Sequence, residues 1–238
     1  MKFKDTKYGD LTGQNYKGNI IVINMGLTSL EGAPRTVQGS FDCSNNSLIS
    51  LKGAPQTVQG YFNCNSNKLT SLEGAPRTVQ GFFNCSYNKL TSLEGSPKKI
   101  QTYFNCSVNK LLTLEGAPEL VNGYFNCSFN NLTSLEGSPK KILGYFNCNF
   151  NELLTLEGAP ELVNDVFDCT NNKLTSLKGI INITNMYCDN NTNEELSKEF
   201  ELRKENPKMS EEEIDEKMYE LTQLEYYLPQ AAKDIFLF

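Results

Sequence analysis

The feature that most constrains this chain is a cysteine recurring every 21 residues, at Cys43, Cys64, Cys85, Cys106, Cys127, Cys148 and Cys169, with a last one, Cys188, after 19. The residues around each cysteine recur with it. One copy runs Val79-Gln80-Gly81-Phe82-Phe83-Asn84-Cys85-Ser86-Tyr87-Asn88-Lys89-Leu90-Thr91-Ser92-Leu93-Glu94-Gly95-Ser96-Pro97. A unit this short cannot bury its own apolar side, so it must stack on copies of itself as a solenoid. The two-residue alternation at Phe83 and Cys85 predicts a short strand with those side chains inward and Phe82, Asn84 and Ser86 outward. Strands of successive turns then stack as a parallel sheet. Asn46, Asn67, Asn88, Asn109, Asn130, Asn151, Asn172 and Asn191 form a column predicted to be a buried amide ladder, because an amide both donates to and accepts from backbone leaving the strand. Glu-Gly-x-Pro then turns the chain back.

Phe83, Cys85, Asn88, Leu90 and Leu93 fall on the pattern L-x-L-x-x-N-x-L-x-x-L, and by these residues the chain resembles leucine-rich repeat proteins over roughly residues 19 to 191. Phe and Cys replace two of the usual leucines, and Val79, Ile100 and Val121 stand one position earlier than in the common form. The variant Ser-Leu-Glu-Gly-Ala-Pro followed by Val-x-Gly-x-Phe-x-Cys resembles repeats of bacterial and tailed-phage proteins. The fold this implies is an α/β solenoid of about nine turns with a parallel β-sheet face, an N-terminal cap and a C-terminal helical region.

Residues 1–18 are assigned to the cap and 19–191 to the solenoid, whose first turn is degenerate, with Ile20 and Val22 in the Phe and Cys positions. Residues 192–238 differ in composition. Thirteen acidic and six basic side chains lie between 193 and 238, in a chain whose net charge is −6. Thr192 with Glu195 and Ser210 with Glu213 are helix-start signals. A first helix would carry Leu196 and Phe200 on one face and stop at Pro207. A second, from about Glu211 to Tyr227, would carry Ile214, Met218, Leu221, Leu224 and Leu228. Pro229 opens a last piece ending Ile235-Phe236-Leu237-Phe238. This region either closes the open end of the stack or reaches out as an effector arm.

No histidine is present, so a Ser-His-Asp triad, a Cys-His pair and histidine-bearing zinc sites are impossible. No two cysteines lie within five residues of each other, and neither G-x-x-x-x-G-K-[ST] nor G-x-G-x-x-G occurs. Some bacterial effectors join such repeats to a helical ubiquitin-ligase domain with a cysteine nucleophile, but no cysteine follows Cys188. The protein is expected to be non-enzymatic, with no cofactor and no metal. The cysteines, one per turn in an inward column, are expected as free buried thiols, because strand spacing of about 4.8 Å suits a disulfide poorly. The polar, lysine-rich Met1–Tyr8 has neither a secretory nor a spanning pattern, so no membrane is expected and the location is cytoplasmic, in the bacterial host if the chain is phage-encoded.

The candidate site is the outward face of the strands. Three residues before the cysteines stand Tyr61, Phe82, Tyr103, Tyr124 and Tyr145, and one residue before stand Asn63, Asn84, Asn105, Asn126 and Asn147. Two residues after, Tyr87, Val108, Phe129 and Phe150 extend the apolar surface. Stacked aromatics strengthen a sheet, but a contiguous exposed strip also suits partner binding. A protein partner is expected, held by the strip and sequestered or inhibited. The alternatives are a carbohydrate-binding adhesin and a scaffold whose C-terminal helices carry the activity. Nucleic acid is not expected, because Lys68, Lys89, Lys110 and Lys173 lie at the turn after the strand and not within the strip.

Overall fold

A computed structural model describes residues 1–180, 183, 185–189, 191 and 195–227, of which 223–227 are described as helical backbone. The chain is a parallel β-solenoid closed at its C-terminal end by two helices. Each coil contributes two strands of two residues. The first strands run from Asn15–Tyr16 through Thr36–Val37 and Thr78–Val79 to Leu162–Val163 and make an eight-stranded sheet; the second run from Ile20–Ile21 through Phe83–Asn84 to Met186–Tyr187 and make a nine-stranded sheet. Every pairing is parallel and joins equivalent residues, so that Phe104 pairs with both Phe83 and Phe125. Among the described residues a ninth coil has the second strand and, beside the first sheet, a bridge between Ile183 and Val163. Asn15 and Tyr16 already pair with Thr36 and Val37, so the first sheet begins inside the segment assigned to the cap.

Between the sheets lies one continuous core. Phe41, Phe62, Phe83, Phe104, Phe125, Phe146 and Phe167 are fully buried, as are Cys43 to Cys169 and the two leucines of each turn. The phenylalanine rings stack on one another, with centroids 5.4 Å apart between Phe62 and Phe83 and between Phe104 and Phe125. All eight cysteines are free, seven of them buried and Cys188 half-buried. Burial, and then the neighbouring thiol, pushes the Cys85 thiol well above the ordinary range.

The asparagine column is the ladder expected, buried at Asn67, Asn109, Asn130, Asn151 and Asn172 and half-buried at Asn46, Asn88 and Asn191. Asn109 Nδ2 donates to the carbonyls of Cys85 in the turn before and Cys106 in its own, at 3.1 and 3.0 Å, while its Oδ1 accepts from Leu90 N–H at 2.9 Å. One side chain therefore satisfies backbone groups of two coils where both leave the sheet. At the opposite turn, Gly95 has φ +91°, and a Cβ there would lie 2.6 Å from the carbonyl oxygen of Leu72 in the preceding coil. Glycine is required twice over, for its backbone angle and for the approach of the next coil.

Both ends of the stack are covered. Phe3 is fully buried and stacks on Phe41 at 6.1 Å, and the Tyr8 hydroxyl accepts from Ile21 N–H at 3.1 Å. At the far end, helix α1 (Leu196–Glu205) buries Leu196 in the core with Phe200 against it. Its Glu199 completes the backbone bonding. In successive coils the N–H of Leu93, Leu114 and Leu135 donates to the carbonyls of Glu115, Glu136 and Glu157 in the next one. Beyond Leu177 the corresponding position is taken by helix α1, and the Leu177 N–H donates to Glu199 Oε1 at 2.9 Å. Arg203 holds that carboxylate at 2.7 Å and reaches Glu211 of helix α2 (Glu211–Tyr227) at 2.9 Å. The expected box at Ser210 forms, with Glu213 N–H donating to Ser210 Oγ and Ser210 N–H to Glu213 Oε2. Ile214 of α2 is buried, and Met218 and Leu221 are half-buried. Thr192, Leu228, Pro229 and Ile235 to Phe238 lie outside the described residues, as does the side chain of Leu224. No helix among the described residues is long and apolar enough to cross a membrane.

Two strand-face expectations need correction. Ser86, read as outward, is buried, because its hydroxyl donates to Asn84 Oδ1 at 2.8 Å and turns in under the strand end. Ser44, Ser107 and Ser128 are buried at the same position. The single sheet expected is also joined by a second, which the Val-x-Gly segment supplies.

Candidate functional site

The outer face of the second sheet carries the strip, and its columns prove unequal. Tyr61, Phe82, Tyr103, Tyr124 and Tyr145 are half-buried because the rings lean on one another. Tyr61 and Phe82 stack at 4.4 Å with planes 3° apart, and Phe82 and Tyr103 at 4.6 Å. Tyr124 and Tyr145 form a second, tilted pair at 5.2 Å. Face-to-face stacking spends the ring faces on each other and turns edges to solvent. Burial raises the pKa of Tyr103 and of Tyr124. For Tyr145 burial is again the first cause, followed by the bond its hydroxyl donates to Asp168 at 2.7 Å, which favours the protonated phenol.

Asn63, Asn84, Asn105, Asn126 and Asn147 point outward, with the oxygen of each committed to the chain. Asn84 Oδ1 accepts from Ser86 N–H at 3.1 Å, Asn105 Oδ1 from Ser107 and Asn126 Oδ1 from Ser128 at 3.0 Å, and Asn147 Oδ1 from Asn149 at 3.0 Å. Asn63 Oδ1 accepts from Asn65 N–H, and its Nδ2 donates to Asp42. These are side-chain-closed turns of the kind asparagine favours. Asn147 Nδ2 reaches the Tyr124 hydroxyl at 3.4 Å, while those of Asn84, Asn105 and Asn126 have no partner among the described residues.

Each such turn throws the residue two beyond the cysteine into the left-handed region. φ is +54° at Asn45 and Asn171, +53° at Tyr87 and Phe129, +54° at Val108 and +51° at Phe150. Asparagine tolerates this backbone; a β-branched residue such as valine does so poorly. The end turns therefore carry the residue the backbone prefers, and the middle turns carry aromatics and valine against that preference. The aromatic ones are also exposed, Tyr87 by 58 %, Phe129 by 52 % and Phe150 by 45 %, with Phe129 stacked on Phe150 at 4.4 Å, while Val108 is half-buried.

A third apolar column escaped the sequence reading. Six residues beyond the cysteine most turns have threonine, but Ile49, Leu112 and Leu154 stand there, 69, 56 and 56 % exposed. The signal was available as apolar residues interrupting a threonine column. Between this column and the Tyr87 column, Lys68, Lys89 and Lys110 are exposed. Two hollows, of about 190 and 430 Å³, are open clefts along the C-terminal helices, beside Glu195 and Asp215 and beside Pro207 and Met209. Neither lies on the strip.

No family model matches this chain, and no curated protein matches it in sequence.

Proposed function

We propose that this protein is a non-enzymatic binding module that holds a protein partner against the outer face of its second sheet. One observation carries this reading: Tyr87, Phe129 and Phe150, like the half-buried Val108, occupy left-handed backbone that asparagine fills in the end turns, and the three aromatic side chains still face solvent. Core packing does not account for an exposed side chain, and backbone preference opposes these residues. A contiguous apolar ridge in contact with a partner accounts for both. The half-buried tyrosine stacks beside it supply rigid aromatic edges with hydroxyls, the side chains most used as interface anchors.

The resemblance of the repeats to leucine-rich repeat proteins, and of their Ser-Leu-Glu-Gly-Ala-Pro variant to repeats of bacteria and tailed phages, supports a partner in the bacterial cytoplasm that is sequestered or inhibited there. A carbohydrate-binding role is less favoured, since sugars stack on ring faces and here those faces are turned to each other. The test is capture of a partner from bacterial lysate by the wild type and by a Tyr103→Ser, Tyr124→Ser double variant. Capture should be lost while the circular dichroism spectrum stays the same. Undiminished capture by the variant would refute this assignment of the face.

A further inference from the structure

We infer that the partner presents an acidic amphipathic helix, seated along the corner where each coil leaves the second sheet. This rests on the protein-binding reading and narrows it to one chemistry. Lys68, Lys89 and Lys110 stand at the same place in three successive coils, all exposed, and none forms an ion pair among the described residues. Two residues before them in the coil stand Ser66, Tyr87 and Val108, a column that Phe129 continues in the next coil. Two residues after them stand Thr70, Thr91 and the exposed Leu112, a column that Ile49 begins in the coil before. A row of cations thus lies between two partly apolar ridges, and beyond the first ridge Asn84, Asn105 and Asn126 offer unpartnered N–H groups. Over these coils the three lysines are the only charged side chains between the Asn84 column and the Leu112 column. Their complement is a row of carboxylates with apolar groups on either side.

Spacing selects the secondary structure that carries those carboxylates. Equivalent residues of neighbouring coils lie about 4.8 Å apart, the distance between paired strands. An α-helix repeats a side chain on one face about every 5.4 Å, so across three lysines it drifts by little more than about 1 Å, which a lysine stem absorbs. An extended strand repeats about every 6.7 Å and drifts by nearly 4 Å over the same span. The cationic stretch ends where Asn131 and Glu152 take the lysine position, Glu152 being paired with Lys173, so the footprint covers about three turns of helix.

The experiment uses the full chain and two labelled 16-residue helical peptides with leucines spaced three and four apart, flanked in one by glutamates and in the other by lysines. Fluorescence anisotropy should show the glutamate peptide binding at least ~30-fold tighter than the lysine one, and weakening ~10-fold between low and high salt. K68E/K89E/K110E changes exposed side chains only and should reverse the preference, with circular dichroism confirming the fold. No binding of the glutamate peptide, binding unaffected by the triple reversal, or its displacement by a short DNA duplex would each overturn the inference. If the Tyr103→Ser, Tyr124→Ser variant loses its protein partner while K68E/K89E/K110E keeps it, the binding module stands and the acidic helix falls.

Discussion

Raising the pH should unfold this protein abruptly, and the sharpness follows from the cysteine column. Seven thiols, Cys43 to Cys169, are buried in one file, and burial holds each above the ordinary thiol value of 9.0. Each also donates to a carbonyl of the next coil, as Cys85 does to Asn105 at 3.3 Å, a bond the thiolate would lose. Above pH 9 the unfolded chain releases these protons and the folded one keeps them. Stability conferred by the protonated thiols is therefore complete below the unfolded value and falls as the pH climbs past it. Each thiol contributes a slope of about 1.4 kcal/mol per pH unit, so the seven together contribute about 10. A domain stable by about 5–15 kcal/mol would be exhausted within roughly one to two units. Urea midpoints measured from pH 8 to 11, with thiolate absorbance followed in parallel, should show stability collapsing in that window and ionisation coinciding with unfolding. Replacing Cys85, Cys106 and Cys127 with alanine should cut the slope by nearly half. Thiols that ionise while the fold persists, or a slope no steeper than that of a single group, would refute the role given to the buried column.

Other perturbations test other parts of the solenoid. Val108→Asn should stabilise the protein by about 1 kcal/mol by relieving a β-branched residue at φ +54°, read as a rise of a few degrees in Tm; a fall would mean that Val108 packs more than it strains. Asn109→Ala strips partners from Leu90 N–H and from the carbonyls of Cys85 and Cys106, and should cost about 3–5 kcal/mol in chemical denaturation. Glu199→Ala leaves Leu177 N–H without an acceptor and Arg203 with one carboxylate fewer, so hydrogen exchange at Leu177 should accelerate at least ~10-fold while that at Leu93 stays unchanged.

Much of the fold was legible because the repeat samples one environment many times. Phe83, Cys85, Leu90 and Leu93 declared an inward face by alternation, and the asparagine after it declared a ladder by being polar in an apolar file. The box at Ser210 and Glu213 and the apolar face of Leu196 and Phe200 followed from helix chemistry. The second sheet was hidden because its strands are two residues long and only Val79 or Ile100 in each points inward, too little for a visible period. Ser86 was misjudged because alternation stops where Asn84 closes the turn, a hydrogen-bonded event that a two-residue period cannot express. The same turn sets the left-handed backbone at Tyr87, whose only trace in the sequence is that Asn24, Asn45 and Asn171 share its column. Of the candidate site, the aromatic columns were legible, while the unequal exposure of their members was not, because stacking between neighbouring coils decides it.

The carboxylate of Glu199 standing where a next coil's carbonyl would stand has a consequence for size. Each rung recognises only the rung before and after it, and the terminal plug imitates the bond a further rung would make. Whole 21-residue units can thus be spliced in or out of the middle, changing the reach of the molecule in steps of about 4.8 Å and leaving both lids untouched. The span of surface such a protein can cover is set by how many times one short gene segment is copied.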